Sequence, residues 1–194
     1  MSFKAAILME DHLNDQYILK PLIESMLASI GKPNSKVTVV TSPRIQGIDQ
    51  LKRNLCGIVN TFAAKVDLMV IAFDQDGQDG ANGGKSRNTQ VEDWLSQCAN
   101  SKVQLLCAIQ EVEVWCLWGN RKDLGVPWST VRSERDPKER FFDSLTTRED
   151  RLRPDKGRSR LITASLSGGF DSIAQGCSEL ADLRQRVKQM IDAK

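Results

Sequence analysis

The sequence predicts an α/β fold with a central, mostly parallel sheet of about four strands and helices on both faces. Three observations carry this. Short apolar runs without alternation occur at Ala5–Met9, Asp67–Phe73 and Val103–Ile109, the pattern of strands covered on both sides. Stripes of apolar residues at spacings of three and four separate the first three strand-like runs. The resulting order, βαβαβαβ, favours a parallel sheet flanked by helices.

Taken in order, Ala5–Met9 is a first strand ended by Glu10 and Asp11. Asn14 or Asp15 can cap a helix whose apolar positions are Ile18, Leu19, Leu22, Ile23, Met26, Leu27 and Ile30. Gly31 and Pro33 stop it, and Pro21 inside it should kink it or shift its start. Val37–Thr41 is β-branched and reads as the second strand. Leu51, Leu55, Ile58, Val59 and Phe62 form the next helical stripe, and Asp67–Phe73 is the strongest strand. A helix is expected within Asn88–Ala99, then the strand Val103–Ile109. Trp115 reads as a core anchor.

Beyond Trp118 the composition changes. Arg132–Arg160 crowds acids and bases together with few apolar residues and reads as a loop or lid. A closing helix is expected over Glu179–Asp192, with Leu180, Leu183, Val187 and Met190 on one face. The expectation is one domain, 1–194, in which 119–194 is a charged lid and C-terminal helical extension.

The chain has 194 residues, 27% charged and 40% hydrophobic, with a net charge of +2. That length suits one core. The near-neutral balance excludes a strongly basic nucleic-acid binder, so any such contact must be local. No apolar run reaches the roughly 20 residues that cross a bilayer, and Ala5–Met9 is too short for a signal-peptide core. Five scattered cysteines without a CxxC pair read as reduced, buried thiols. A cytoplasmic protein with no membrane partner is expected.

The carboxylates are the informative feature. Open parallel sheets bind ligands at the carboxyl ends of their strands. Glu10 falls there on the first strand, and Asp74 and Asp76 on the third. Residues two apart on a strand point the same way, so Asp74 and Asp76 can aim at one hard cation, Mg²⁺ or Mn²⁺. The bland reading of Asp74-Gln-Asp-Gly77 is a solvated turn. Glu111 and Glu113 follow the fourth strand and could complete a metal site, or could simply favour a helix start.

Glu10 after an apolar strand, Leu19-Lys-Pro-Leu22 in the following helix and Asp74-x-Asp76 after another strand together resemble the Toprim fold of topoisomerases, bacterial primases and overcoming-lysogenization-defect nucleases. Ala108-Ile-Gln-Glu-Val-Glu-Val-Trp-Cys-Leu-Trp118 and Cys177-Ser-Glu-Leu-Ala-Asp-Leu183 look like stretches of a smaller bacterial Toprim-like family, often found beside ATPases. Many members have Gly after the first Glu, where this chain has Asp11. The resemblance implies a Rossmann-type Toprim-like domain and a nuclease working by metal-assisted phosphoryl transfer, alone or with an ATPase partner in anti-phage defence. It casts Glu10 as general acid or base and metal ligand, Asp74 and Asp76 as catalytic metal ligands, and Glu111 or Glu113 as ligands of a second ion. Lys85, Arg87, Arg158 and Arg160 are the expected nucleic-acid contacts. The rival is a catalytically silent Toprim-like module that binds a partner protein or nucleic acid.

Other motifs are weaker. Gly83-Gly-Lys-Ser86 lacks the first glycine of a P-loop, because Asp79 stands there. Ser167-Gly-Gly-Phe-Asp-Ser172 fits the loop of ATP pyrophosphatases, but only 22 residues follow it, too few for such a sheet. His12, the one histidine, reads as an exposed loop residue, near enough to Glu10 to permit a site role, and disfavours a His-based zinc site or triad within this chain.

Overall fold

β1 (Lys4–Met9), β2 (Lys36–Val39), β3 (Leu68–Asp74) and β4 (Val103–Ala108) form one all-parallel sheet in the order β2-β1-β3-β4. These are the four expected strands, in a computed structural model that describes residues 2–81, 84–98 and 102–193. Gly83 and Ala99, each part of an expected motif or helix, lie outside the described residues. The register sets Met9 beside Ala72 and Asp74 beside Ala108, which brings the ends of β1, β3 and β4 level.

Strand alternation divides the core in two. Ala5, Ile7, Met9, Leu68, Val70 and Ala72 face one side, where α1 (Gln16–Ser29) supplies Ile18, Leu19, Leu22, Ile23, Met26 and Leu27. Ala6, Leu8, Met69, Ile71 and Phe73 face the other, covered by α2 (Ile48–Phe62) and α3 (Arg87–Leu95). Each helix buries one stripe. Pro21 is accommodated within α1. No described helix is long and apolar enough to cross a membrane.

The segment expected as a lid is instead part of the core. α4 (Val114–Leu117) precedes it; the segment itself contains α5 (Trp128–Ser133), a π-helical turn (Lys138–Phe142), α6 (Asp143–Leu145), α7 (Arg148–Arg151), α8 (Arg158–Leu166), α9 (Gly169–Gly176) and α10 (Ser178–Asp192), the last being the expected closing helix. Phe141, Phe142, Leu161, Ile162, Phe170, Ile173, Leu180, Leu183 and Val187 join the α1 side of the sheet. Trp115 is fully buried, as expected. Its Nε1 donates to Glu179 Oε1 at 2.9 Å, and Arg132 closes a two-pronged ion pair on the same carboxylate at 2.9 and 2.6 Å. Gly119 has no room for a side chain, since a Cβ there would lie 2.4 Å from the backbone of Ala164. Ser167–Ser172 joins α8 to α9 with no strand before it, which removes the pyrophosphatase reading.

The cysteines depart from expectation. Cys56 on α2 and Cys98, in the 3₁₀ turn after α3, form a disulfide with Cα atoms 5.1 Å apart, leaving Cys107, Cys116 and Cys177 free. Packing of α2 against that turn brings together two residues 42 apart, which no local motif announces. A reducing compartment does not favour such a bridge. Closing a loop of this length stabilises the fold by about 2–4 kcal/mol. Urea unfolding with and without excess thiol should therefore show a lower midpoint in thiol; identical curves would mean the bridge contributes nothing.

Candidate metal and acid site at the carboxyl end of the sheet

The strand order reverses direction between β1 and β3, since the chain leaves β1 toward β2 and returns to place β3 on the other side. That is the crevice where parallel sheets take ligands. Glu10 and Asp74 meet there: the Asp74 backbone N–H donates to Glu10 Oε1 at 3.3 Å. The Asp74 carboxyl accepts from the Val112 amide at 2.9 Å.

Asp76 is not on the strand. β3 ends at Asp74, and Asp76 and Gly77 adopt left-handed backbone (φ 49° and 68°). Non-glycine residues rarely do so. Gln110 holds the turn: its carbonyl accepts from Gln75 and Asp76 amides at 3.0 and 3.2 Å, and its Oε1 accepts from Gly77 at 2.9 Å. Asp76 is thus brought near Glu10 and Asp74 by a turn rather than by strand alternation. Its carboxylate faces Arg87 Nη2 at 3.5 Å.

The sequence reading missed Asp15. It stands at the N-cap of α1 but makes no side-chain cap. It is buried instead. Its signal was its place three and four residues before Ile18 and Leu19, on the buried stripe of the same helix.

These carboxyls disturb one another. Burial, then Asp76, pushes Glu10 up to about 7, with Arg87 and the Asp74 amide acting the other way. Burial, Glu113 and Asp11 push Asp15 up to about 8, opposed by Arg158. Asp74 lies well above the carboxylate range through burial, then Asp15, Glu113, Glu10 and Asp76. Burial likewise raises Glu111 to about 7, although its Oε2 accepts from the Lys138 amide at 3.0 Å.

A carboxyl raised on folding makes the folded state bind more protons. Its contribution to stability is then greatest below the unfolded pKa and falls until the folded pKa is passed. With Glu10 and Asp15 moving from 4.5 and 3.8 to about 7 and 8, metal-free protein should lose melting temperature steadily between about pH 4 and 8. Thermal scans in EDTA across that range test this, and a melting temperature that climbs toward pH 8 would contradict the shifts.

Several expected contacts have other roles. Glu113 and Arg158 are both buried and paired with each other, so Glu113 is not a free ligand and Arg158 is not an exposed phosphate contact. Arg160 holds the buried Asp150, its Nη2 2.5 Å from Oδ2, and its hydrogen bond brings that carboxyl down to about 2. Lys85 is exposed and pairs with Asp93 at 2.5 Å. Arg87 is buried and lies beside the acids, with Nε unpartnered. His12 is buried too, contrary to expectation, and its Nδ1 has no partner among the described residues.

No three His, Cys, Asp or Glu side chains converge as a ready metal cage among the described residues. The donor chemistry nonetheless fits a hard divalent cation: Glu10 and Asp15 are carboxyl oxygen donors flanking Asp74, raised by burial at a cost that a bound cation would relieve. Compared with protein-family models, curated proteins and solved structures, the chain gives no significant match.

Proposed function

We propose that the chain is a metal-dependent phosphodiesterase acting on nucleic acid, with Glu10, Asp15, Asp74 and Asp76 as the acidic centre. The observation that carries this is the flanking of Asp74 at the sheet's switch point by Glu10, which accepts from the Asp74 amide at 3.3 Å, and by Asp15, both of which add to burial in pushing its carboxyl upward. Perturbed acids in such a crevice are the expected signature of a working site. A bound Mg²⁺ or Mn²⁺ would supply Lewis-acid stabilisation to a phosphodiester and acidify water. Glu10, raised to about 7, can hold or take a proton at neutral pH, so no histidine base is needed. Arg87, buried beside Asp76, can offer its guanidinium to a phosphate oxygen. An ATPase subunit acting with this chain in anti-phage defence belongs to the same proposal.

The test is calorimetric titration with Mn²⁺ of wild type and Asp76→Ala, with the same samples assayed on plasmid DNA and total tRNA. Heat of binding and cleavage should both vanish in the variant. Cleavage retained by Asp76→Ala would remove the reading.

One observation favours a second reading. The Asp76–Arg87 pair already places a cation by the acids, and the carboxylates do not form a ready cage. A silent module would therefore bind nucleic acid or a partner without Mn²⁺ uptake.

A further inference from the structure

A cleft of about 420 Å³ is lined by Asn14, just before α1, and by the segment from Lys138 to Arg158, including the π-helical turn and α7. Asn14, next to Asp15, and Arg158, the partner of Glu113, connect it to the acidic centre. Its rim carries Lys138, Arg151 and Lys156, against the single carboxylate of Asp143. Among the described residues Arg151 bonds neutral oxygens, Thr146 Oγ1 at 3.1 Å and the Asp143 carbonyl at 3.2 Å. Lys156 makes no ion pair among the described residues, and Lys138 pairs with the exposed Glu139 at 3.8 Å while also acting on the Glu111 carboxyl. The buried Arg158 leaves its Nε without a partner.

We propose that this cleft is a phosphate subsite, seating a backbone phosphate of a nucleic-acid strand beside the acidic centre. With Arg158 neutralised by Glu113, the three rim cations Lys138, Arg151 and Lys156 facing the Asp143 carboxylate leave a positive excess in a pocket wide enough for a phosphate and its sugar. Arginine and lysine there provide charge-assisted donors to phosphate oxygens. The proposal deepens the phosphodiesterase reading and rests on it for the kind of ligand. It also replaces the surface contacts expected from Arg158 and Arg160, which are committed to Glu113 and Asp150.

Fluorescence anisotropy of a labelled single-stranded DNA 12-mer in EDTA, across a range of NaCl, tests the subsite without metal or cleavage. Lys138→Ala/Lys156→Ala alters only exposed or half-exposed side chains. It should weaken binding at least about tenfold and flatten the salt slope by about 1.4, two phosphate contacts' worth. Inorganic phosphate should displace the strand from wild type and not from the variant. Equal affinity and slope in the two proteins, or binding of neither strand nor phosphate by wild type, would overturn the subsite. Phosphate uptake without strand binding would overturn its assignment to a strand. Weakened binding in the variant, with no cleavage by wild type in Mn²⁺, would keep the subsite and remove the nuclease. Unchanged binding with cleavage that depends on Asp76 would do the reverse.

Discussion

Arg158→Met should cost about 3–5 kcal/mol of folding stability, because it strands a charge inside the protein. Glu113 and Arg158 are each 4% exposed and have little water to turn to. Removing the guanidinium leaves Glu113 facing Asp15 and Asp74, whose carboxyls it already pushes upward. Methionine keeps much of the volume and the contact with Phe142, over whose ring the guanidinium sits at 5.3 Å. The loss therefore reports charge and hydrogen bonding rather than a cavity. Urea unfolding of Arg158→Met and of Arg158→Met/Glu113→Leu measures it. The double variant should recover most of the loss, since a buried pair replaced by apolar residues is often neutral. A single variant within 1 kcal/mol of wild type would show that the pair is not isolated from solvent.

Asp74→Asn should have opposite effects on stability and on activity. The Asn Oδ1 can still accept from the Val112 amide, so the hydrogen bond survives while the charge goes. At pH 7 the gain is capped at about 4 kcal/mol, because protonation limits the penalty to the interval between 3.8 and the working pH. Mn²⁺ uptake should disappear, and cleavage should fall by about 10³-fold or more. A variant that melts lower than wild type would mean that Asp74 is held by favourable contacts, not strained by its neighbours. A variant that melts higher and still cleaves would exclude Asp74 from the chemistry.

The sheet was legible because its strands are continuous apolar runs, and the helices α1 and α2 because each carries a long stripe at regular spacing. The core half built from α4 to α9 was not. Leu161, Ile162, Phe170 and Ile173 are buried, but their helices are eight or nine residues long and sit among arginines, lysines and acids that mask any period. The acids at strand ends were equally legible, since strand direction alone places Glu10 and Asp74 together. Asp15 hid behind the ordinary role of its position, a helix cap it does not perform. Glu113 and Arg158 stand 45 residues apart, and only tertiary packing could pair them. The buried state of His12 and the Cys56–Cys98 bridge escaped for the same reason: each depends on what a loop or helix lands against, which a sequence pattern does not encode.

The division of the core has a consequence for how the chain is made. All four strands have left the ribosome by Ala108, yet one face of the sheet is still waiting for residues as late as Val187. Only α1 can shelter that face in the interval. At synthesis rates of about 5–20 residues per second, it stays partly uncovered for several seconds. The nascent chain should therefore engage cotranslational chaperones that bind apolar surface, and release them when α10 docks.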